Sequence, residues 1–329
     1  MAFIESWVRR LSPWVSLIGS VIGAAYMDRS QEQGGWIVFW AALGFVALVV
    51  VGVTHRPRGD LPDEPGRWQQ LVRFTTAATS QSLIQTSLFF SGPFYLEACA
   101  FTPAQCLFVA AFVIAVVVSS WDDWHVWAML HPLWGPALLS FSSFCAWNAA
   151  LPMLGMPHRR AIWWAAGAVS VLVPTLQILQ GTRGVRRIEL LLAGALLPLA
   201  MAAFGVRALP AAPLKLVDSG IGTGVVERAL LGKAQHFDQP PERLWCLTAI
   251  SAPRGLSEDL VHIWSHDGEE LSRIVLEVRG GRKLGFRTWS KQPLPHAAHG
   301  VYQCEVRTGL GQTLGVNRVS IGKVPWRAL

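Results

Sequence analysis

The stretch V-H-I-W-S-H-D-G-E-E-L-S-R-I-V-L-E-V-R-G-G, residues 261–281, decides how the last third of the chain folds. Val261 and Ile263 alternate there with polar or aromatic residues, and a second alternation runs over Arg273–Arg279. A period of two residues is typical of a half-buried β-strand. The Asp267–Gly268 pair between the two runs supports the positive φ angles of a tight turn. The stretch therefore predicts a β-hairpin.

Other short alternating runs flank this hairpin on both sides. Turn residues such as Gly280–Gly281 and Gly309–Gly311 separate them, with no helical pattern in between. Short strands spaced every ~8–12 residues are typical of an antiparallel sandwich. Residues 207–329 therefore predict an all-β sandwich domain with about seven strands. The strands besides the hairpin are predicted near Leu214–Asp218, Leu244–Ser251, Leu284–Thr288, Val301–Arg307 and Thr313–Ile321.

The first two thirds of the chain have a different composition. The 329 residues are 52% hydrophobic and 15% charged, whereas soluble domains carry about 25% charged residues. Residues 1–206 hold the apolar runs, and about 20 apolar residues suffice for a helix to cross a bilayer. They therefore predict an α-helical transmembrane bundle of about seven spans. The candidate spans are Leu11–Met27, Trp36–Val53, Gln70–Phe90, Leu107–Ser120, Pro132–Leu151, Ala161–Leu179 and Ile188–Val206. The third carries Arg73 and many Ser, Thr and Gln residues, so six spans is the alternative if that segment lies in the interface.

Positive charges predict the orientation of this bundle. Cytoplasmic loops favour Lys and Arg, and an amino terminus in the cytoplasm places nine arginines on that side against three on the other. Seven spans then put the sandwich domain in the periplasm, whereas an even number of spans would put it in the cytoplasm. The expected localisation is the bacterial inner membrane. The nine are Arg9, Arg10, Arg56, Arg58, Arg67, Arg73, Arg183, Arg186 and Arg187; the three are Arg29, Arg159 and Arg160.

Four segments carry a resemblance to known proteins. They are Q-S-L-I-Q-T-S-L-F-F-S-G-P-F-Y (Gln81–Tyr95), H-I-W-S-H-D-G-E-E (His262–Glu270), G-G-R-K-L-G-F-R-T-W-S (Gly280–Ser290) and G-V-Y-Q-C-E-V-R-T-G-L-G-Q-T-L-G (Gly300–Gly315). In these segments the chain resembles uncharacterised bacterial multi-pass membrane proteins with a C-terminal immunoglobulin-like domain of unknown function. The resemblance implies an immunoglobulin-like topology for the predicted sandwich. It brings no established activity.

A basic, aromatic edge is the first candidate site. Five cations lie within thirteen residues of the C-terminal domain, interleaved with Phe286 and Trp289. Such an edge suits a partner protein or an anionic envelope component, although a solvated basic face is the alternative. Nucleic acid is not expected for a domain outside the cytoplasm. The candidate binding residues are Arg279, Arg282, Lys283, Arg287, Trp289 and Trp264, and Lys291 completes the five cations.

Polar side chains in the predicted spans form the second candidate. Gln81 and Gln85 share one helix face at a spacing of four, and Asp122 and His125 lie at the end of the fourth span. Amides facing lipid would lose their water partners, so they should point into the bundle. The two glutamines predict either hydrogen bonds between helices or a polar cavity for a ligand, to which Asp122 or His125 could contribute. For Asp122 and His125 themselves, a site that binds a metal or relays protons and a solvated turn at the interface are the alternatives.

Cysteine and histidine spacings bear on disulfides and metals. Cys246 and Cys304 are both on predicted strands of the C-terminal domain, and a disulfide or two separate buried thiols are the alternatives. His262 and His266 would stand about 13 Å apart on a strand, too far to share one ion. We expect them at the surface or in the hairpin, and we expect no metal and no cofactor.

Motifs of common enzyme classes do not occur in the sequence: it has no phosphate-binding loop, dinucleotide fingerprint, zinc-protease motif or nucleophile elbow. The expected function is therefore non-enzymatic, in a membrane protein that contacts lipids and presents a periplasmic sandwich to a partner protein or envelope component. One alternative is a membrane carrier or lipid-handling enzyme that uses the polar cavity. The other is an accessory subunit of a larger membrane complex.

Overall fold

The computed structural model describes residues 67–131, 133–179, 188, 192–203, 205–282 and 284–322. These residues form two compact units. The described residues up to Pro93, together with those from Phe108 to Gly205, make a helical unit. Phe94–Leu107 and the described residues from Val206 onward make a second unit, which we call the β-unit.

Six α-helices and one short π-helix are present in the described part of the chain. They are α1 (Arg67–Glu97), α2 (Pro103–Ser120), α3 (Asp122–Leu130), α4 (Trp134–Met153), α5 (His158–Leu179), the π-helix (Leu192–Leu196) and α6 (Leu197–Ala203). The start of α2 is encoded locally. Thr102 precedes it and accepts a hydrogen bond from the Gln105 backbone N–H at 3.4 Å, and Pro103 occupies the first helical position, where no N–H is needed.

Apolar packing and serine caps hold the helical unit together. Leu83 of α1 lies in a buried cluster with Val169 and Val173 of α5. A π-helix shifts the hydrogen-bond register of its turn. The hydroxyl groups of two serines donate hydrogen bonds to backbone carbonyls of this π-helix. Ser140 donates to the Gly194 carbonyl at 3.0 Å, and Ser170 donates to the Ala195 carbonyl at 2.7 Å.

The predicted bundle of about seven transmembrane helices is wrong. Within the described residues, only α2 is long and apolar enough to cross a membrane. The predicted spans Leu11–Met27 and Trp36–Val53 lie outside the described residues. In the described part of the last predicted span, Ile188–Val206, a five-residue π-helix is followed directly by a seven-residue α-helix.

Buried protein contacts explain part of this error. The predicted span Pro132–Leu151 falls mainly on α4, and most of α4 is buried inside the protein, including Ser140, Ser142, Ser143 and Asn148. An apolar run in a sequence does not distinguish contact with lipid from contact with neighbouring helices. The hydropathy of this segment therefore indicated that it is buried, but not whether lipid or protein covers it.

Ten strands form the β-unit. They are β1 (Lys215–Gly222), β2 (Gly224–Val226), β3 (Ala229–Leu231), β4 (His236–Phe237), β5 (Arg243–Ser251), β6 (Ser257–His266), β7 (Glu269–Arg279), β8 (Phe286–Pro293), β9 (Gly300–Thr308) and β10 (Thr313–Ile321). The β6–β7 hairpin turns at Asp267 and Gly268, whose φ angles are 47° and 93°. Strands β2, β3 and β4 have no counterpart among the predicted strands.

Two main sheets and a small hairpin make this unit a β-sandwich-like region. One sheet has the order β1-β5-β8 and the other β4-β10-β9-β6-β7, and β2 pairs only with β3. All pairings in the two main sheets are antiparallel except that of β4 with β10. The β2–β3 hairpin contacts β1 and β5.

The core of the β-unit contains a disulfide between its two sheets. Cys246 of β5 and Cys304 of β9 are bonded, with their Cα atoms 6.5 Å apart. Trp264 of β6 pairs with Cys304 in the sheet and is fully buried in the same apolar cluster. Bonding these strands closes a loop between positions 58 residues apart, which restricts the unfolded chain.

Two buried glutamines connect distant segments of the β-unit. The Gln105 side chain donates to the Thr313 carbonyl at 2.8 Å and accepts from the Ala100 N–H at 2.8 Å. The Gln312 side chain donates to the Leu209 carbonyl at 3.0 Å. Each bond satisfies a backbone group that burial would otherwise separate from water. Gln105 thereby ties the segment Phe94–Leu107 to the end of the sandwich.

Candidate functional site

Three arginines and a leucine line a surface pocket of the β-unit. The pocket has a volume of about 390 Å³, and its lining residues are Arg228, Arg282, Leu284, Gly285 and Arg287. Arg228 lies on the β2–β3 hairpin, whereas the others come from the end of the β7–β8 loop and the start of β8. We call this feature the arginine pocket.

Close backbone contacts position the β7–β8 loop. A Cβ atom on Gly280 would lie 1.8 Å from the Pro253 carbonyl oxygen, so only glycine fits there. Gly285 has a φ of +80° and donates its N–H to the Arg282 carbonyl at 3.0 Å. These two glycines let the loop run against the end of β5 and turn into β8, which presents Arg282 and Arg287 on either side of the turn.

Unusual backbone geometry places Arg228 at the pocket. Glu227 and Arg228 form the two-residue turn of the β2–β3 hairpin, with φ angles of 47° and 64°. Such turns favour Asn and Gly because other L residues are strained at positive φ. The Arg287 guanidinium donates to the Arg228 carbonyl at 3.0 Å. This bond joins the hairpin tip to β8 across the pocket.

The three guanidinium groups have no carboxylate partner among the described residues. The guanidinium of Arg282 stands over the Phe286 ring, 5.0 Å from its centroid, which restricts its position. The lining contains no acid, histidine, cysteine or serine. The arrangement can therefore bind an anion by charge and hydrogen bonds, and its described lining residues include no nucleophile or general base.

Neighbouring arginines on β7 are neutralised by ion pairs. Arg279 lies 3.1 Å from a Glu277 carboxylate oxygen, and Arg273 lies 3.1 Å from one of Glu270. The Arg273 and Arg279 hydrogen bonds hold the pKa of Glu270 and Glu277, respectively, below the usual value. The arginines of β7 therefore differ from Arg282 and Arg287, for which the described residues offer no ion pair.

The predicted basic edge is only partly brought together. Arg282 and Arg287 line the pocket, whereas Arg279 is engaged by Glu277. Trp289 is 38% exposed on β8, but Trp264 is in the core and presents no surface to a partner. Lys283 lies outside the described residues. Sequence reasoning missed Arg228, because only the hairpin brings it near residues 59 positions away.

A buried polar network lies between the two sheets. His262, expected at the surface, is instead fully buried; its Nδ1 lies 2.8 Å from Ser290 Oγ and its Nε2 lies 3.1 Å from Thr248 Oγ1. Trp264 donates to Ser290 Oγ at 2.9 Å, and Thr248 contacts Thr288 Oγ1 at 3.0 Å. Burial lowers the pKa of His262 to about 4, so the ring is neutral at pH 7.

The disulfide keeps this cluster from acting as a metal site. The donor atoms of Cys246, His262 and Cys304 all lie within 4.8 Å of one another. Zinc would need thiolates, and both sulfurs are used by the disulfide. While the bond is intact, His262 is the one nitrogen ligand of the three, which is too few for a structural zinc site.

The polar residues of the helical unit make structural contacts. Gln85 donates its side-chain N–H to the Ser119 carbonyl at 2.8 Å, and Gln81 approaches the same oxygen at 3.3 Å. Carbonyls in the last turn of a helix lack partners within the helix, so the two glutamines cap α2. His125 is buried on α3, which begins at Asp122; the Asp122 side chain lies outside the described residues. These bonds favour helix packing over a ligand cavity.

Comparisons with known families match most of the chain. A family model described as a family of unknown function (DUF5924) matches residues 2–239. A second, described as a protein of unknown function (DUF2914), matches residues 257–321, which include β6 to β10. No curated protein matches the chain.

Proposed function

The chain belongs to the family of unknown function DUF5924, and on that premise we propose that it is a membrane-anchored, non-enzymatic binding protein whose β-unit holds an anionic group in the arginine pocket. One observation carries the proposal. Arg228, Arg282 and Arg287 line a single pocket and have no carboxylate partner in the described part of the chain. Clustered guanidinium groups repel one another, and an anion between them relieves that repulsion.

Backbone strain at the hairpin tip supports a binding role. Glu227 and Arg228 both adopt positive φ at positions where Asn–Gly would be relaxed. Strained residues of this kind cost on the order of 1 kcal/mol or more each and cluster at functional sites. An arginine at this position has no evident benefit for folding, but it adds a third cation to the pocket.

The membrane anchor in this proposal is helix α2. Its 18 residues extend about 27 Å, close to the thickness of a bilayer core. Leu107, Val113, Ile114 and Val117 are exposed on this helix, and lipid contact would remove them from water. Trp121 and Trp124 follow directly and are also exposed, as is typical of side chains at the membrane interface.

The disulfide supports a periplasmic location for the β-unit. Disulfides such as Cys246–Cys304 persist in oxidising compartments and are rare in the cytosol. A reporter enzyme that is active only in the cytoplasm, fused after Leu329, tests the location in whole cells. We expect no reporter signal, and a strong cytoplasmic signal would contradict the proposed location.

We further propose an immunoglobulin-like topology for the β-unit. In that topology a disulfide links the two sheets, a tryptophan packs beside it, and a tyrosine lies two residues before the second cysteine. The disulfide between β5 and β9, Trp264 on β6 and Tyr302 support it. The sheet orders β1-β5-β8 and β10-β9-β6-β7 agree with the same arrangement.

Purification from native membranes tests the binding function. The full chain would be purified as wild type, as Arg282→Gln/Arg287→Gln and as the control Arg273→Gln/Arg279→Gln, which removes the same charge from ion pairs outside the pocket. We expect the wild type and the control to retain an acidic component, a lipid or an accessory protein of a larger complex, that the pocket variant loses. Equal recovery from all three proteins would refute a binding role for the pocket.

A further inference from the structure

We propose that the arginine pocket binds the phosphate group of an anionic lipid, with Leu284 against the apolar part of the same molecule. This inference rests on the proposed function and names the chemical class of its ligand. The chemistry of the three guanidinium groups, the exposure of Leu284 and the ion pairs of the β7 arginines lead to it.

The number and type of cations favour phosphate. A guanidinium presents several N–H donors in a planar fork, which matches the oxygens of a phosphate. Arg287 donates one N–H group to the Arg228 carbonyl, and the Arg282 guanidinium stacks over the Phe286 ring. Both side chains are therefore partly ordered before a ligand binds. Three cations exceed what a single carboxylate would need, whereas a phosphomonoester carries up to two negative charges.

The rim of the pocket is apolar. Leu284 is 79% exposed, more than any other large hydrophobic side chain in the described residues. A ligand with an apolar part would gain free energy by removing this side chain from water. A free sugar phosphate or inorganic phosphate would leave Leu284 in water, but the glycerol and acyl region of a lipid would cover it.

The surrounding charges argue against a polyanion. Nucleic acids and acidic glycans are recognised along a track of cations. Strand β7, which precedes the β7–β8 loop, carries Arg273 and Arg279 in ion pairs with Glu270 and Glu277. A pocket of about 390 Å³ has the size of a small-molecule site, which suits one headgroup better than a long polyanion.

Short-chain probes separate a lipid from its headgroup. The full chain, purified in a nonionic detergent, would be titrated with dihexanoyl phosphatidic acid, with glycerol 3-phosphate and with inorganic phosphate. Protection of backbone amides in residues 224–231 and 280–290 from hydrogen exchange reports binding at the pocket itself. The proteins are wild type, Arg282→Gln/Arg287→Gln, Leu284→Ser and the control Arg273→Gln/Arg279→Gln.

The lipid probe should bind the wild type about tenfold more tightly than glycerol 3-phosphate. The pocket variant should weaken it by about tenfold or more, and the control by less than about twofold. Leu284→Ser should weaken the lipid probe roughly fivefold and leave glycerol 3-phosphate unchanged.

Two results would overturn the inference. Equal affinity for the lipid probe and glycerol 3-phosphate, with no effect of Leu284→Ser, would assign the pocket to a free phosphate compound and leave the proposed anion-binding function standing. No binding of any probe would remove the phosphate assignment. The native-membrane purification then decides the proposed function separately, because it depends on no chosen ligand.

Discussion

Acidification from pH 7.5 to pH 4 should destabilise the β-unit through one buried side chain, His262. The ring lies between the sheets, and among the described residues its hydrogen-bond partners are the neutral hydroxyl groups of Thr248 and Ser290. Burial there disfavours the charged imidazolium and lowers its pKa to about 4. A folded β-unit therefore resists the proton that an unfolded chain accepts near pH 6.5.

The sign of the effect follows from proton binding. Between pH 6.5 and about 4 the unfolded chain binds a proton at His262 and the folded chain does not. The free energy of unfolding must therefore fall as the pH is lowered through this window, whereas above pH 6.5 both states are neutral and the contribution is fully present. The pKa difference corresponds to about 3 kcal/mol at the acid end.

Native-state hydrogen exchange on the full chain measures this loss. Peptides from β5, β6 and β8 would be followed at several pH values and corrected for the intrinsic pH dependence of exchange. The comparison is between wild type and His262→Gln, with the exposed His296→Gln as a control. His262→Gln lowers stability at pH 7.5 because it breaks the network, but its further loss on acidification should be about 3 kcal/mol smaller.

Because acidic residues also destabilise the β-unit on acidification, the effect of His262 must be read from the difference between wild type and His262→Gln. Glu270 and Glu277 have lowered pKa values and also cost stability when they become protonated. They do so equally in wild type and in His262→Gln. If both proteins lose the same protection between pH 6.5 and pH 4, the buried neutral imidazole is not the cause and the reasoning fails.

Three further substitutions test other features of the fold. Cys246→Ser/Cys304→Ser should lower the free energy of unfolding of the β-unit by about 4 kcal/mol in the chain-entropy model, and an unchanged denaturant midpoint would contradict it. Glu227→Asn/Arg228→Gly should raise the free energy of opening of the β2–β3 hairpin by about 1 kcal/mol while weakening anion binding, because it relieves positive φ and removes a cation; a loss of hairpin protection in hydrogen exchange would contradict it. Gln105→Leu should cost about 2 kcal/mol, measured as faster exchange in residues 94–107, because it leaves the Thr313 carbonyl and the Ala100 N–H without their partner.

The strand pattern was predictable because it is local. The alternation around Asp267–Gly268 indicated the β6–β7 hairpin, and the structure has that turn. Which face of strand β6 points into the core was less well predicted. His262 and Trp264 point into the core, and Ile263, on the alternate face, is also nearly buried. Successive residues of a strand face opposite sides, and when both faces are covered the pattern does not say which is the core.

The β2–β3 hairpin was missed for a different reason. Its turn residues, Glu227 and Arg228, are not among those that favour positive φ, so they gave no turn signal. Without that hairpin Arg228 could not be placed beside Arg287. The predicted basic edge therefore contained two of the three arginines of the pocket, together with Arg279, whose partner Glu277 is two residues away.

By itself, the sequence indicated the positions of α1, α2, α4 and α5 among the described residues and most strands of the β-unit, because hydrophobic periodicity and turn residues act over a few positions. Only the tertiary structure decided which apolar helices are covered by protein, that Cys246 meets Cys304, and that Arg228 joins Arg282 and Arg287. These contacts link positions about 60 residues apart, and they depend on sheet order and register, which no local pattern encodes.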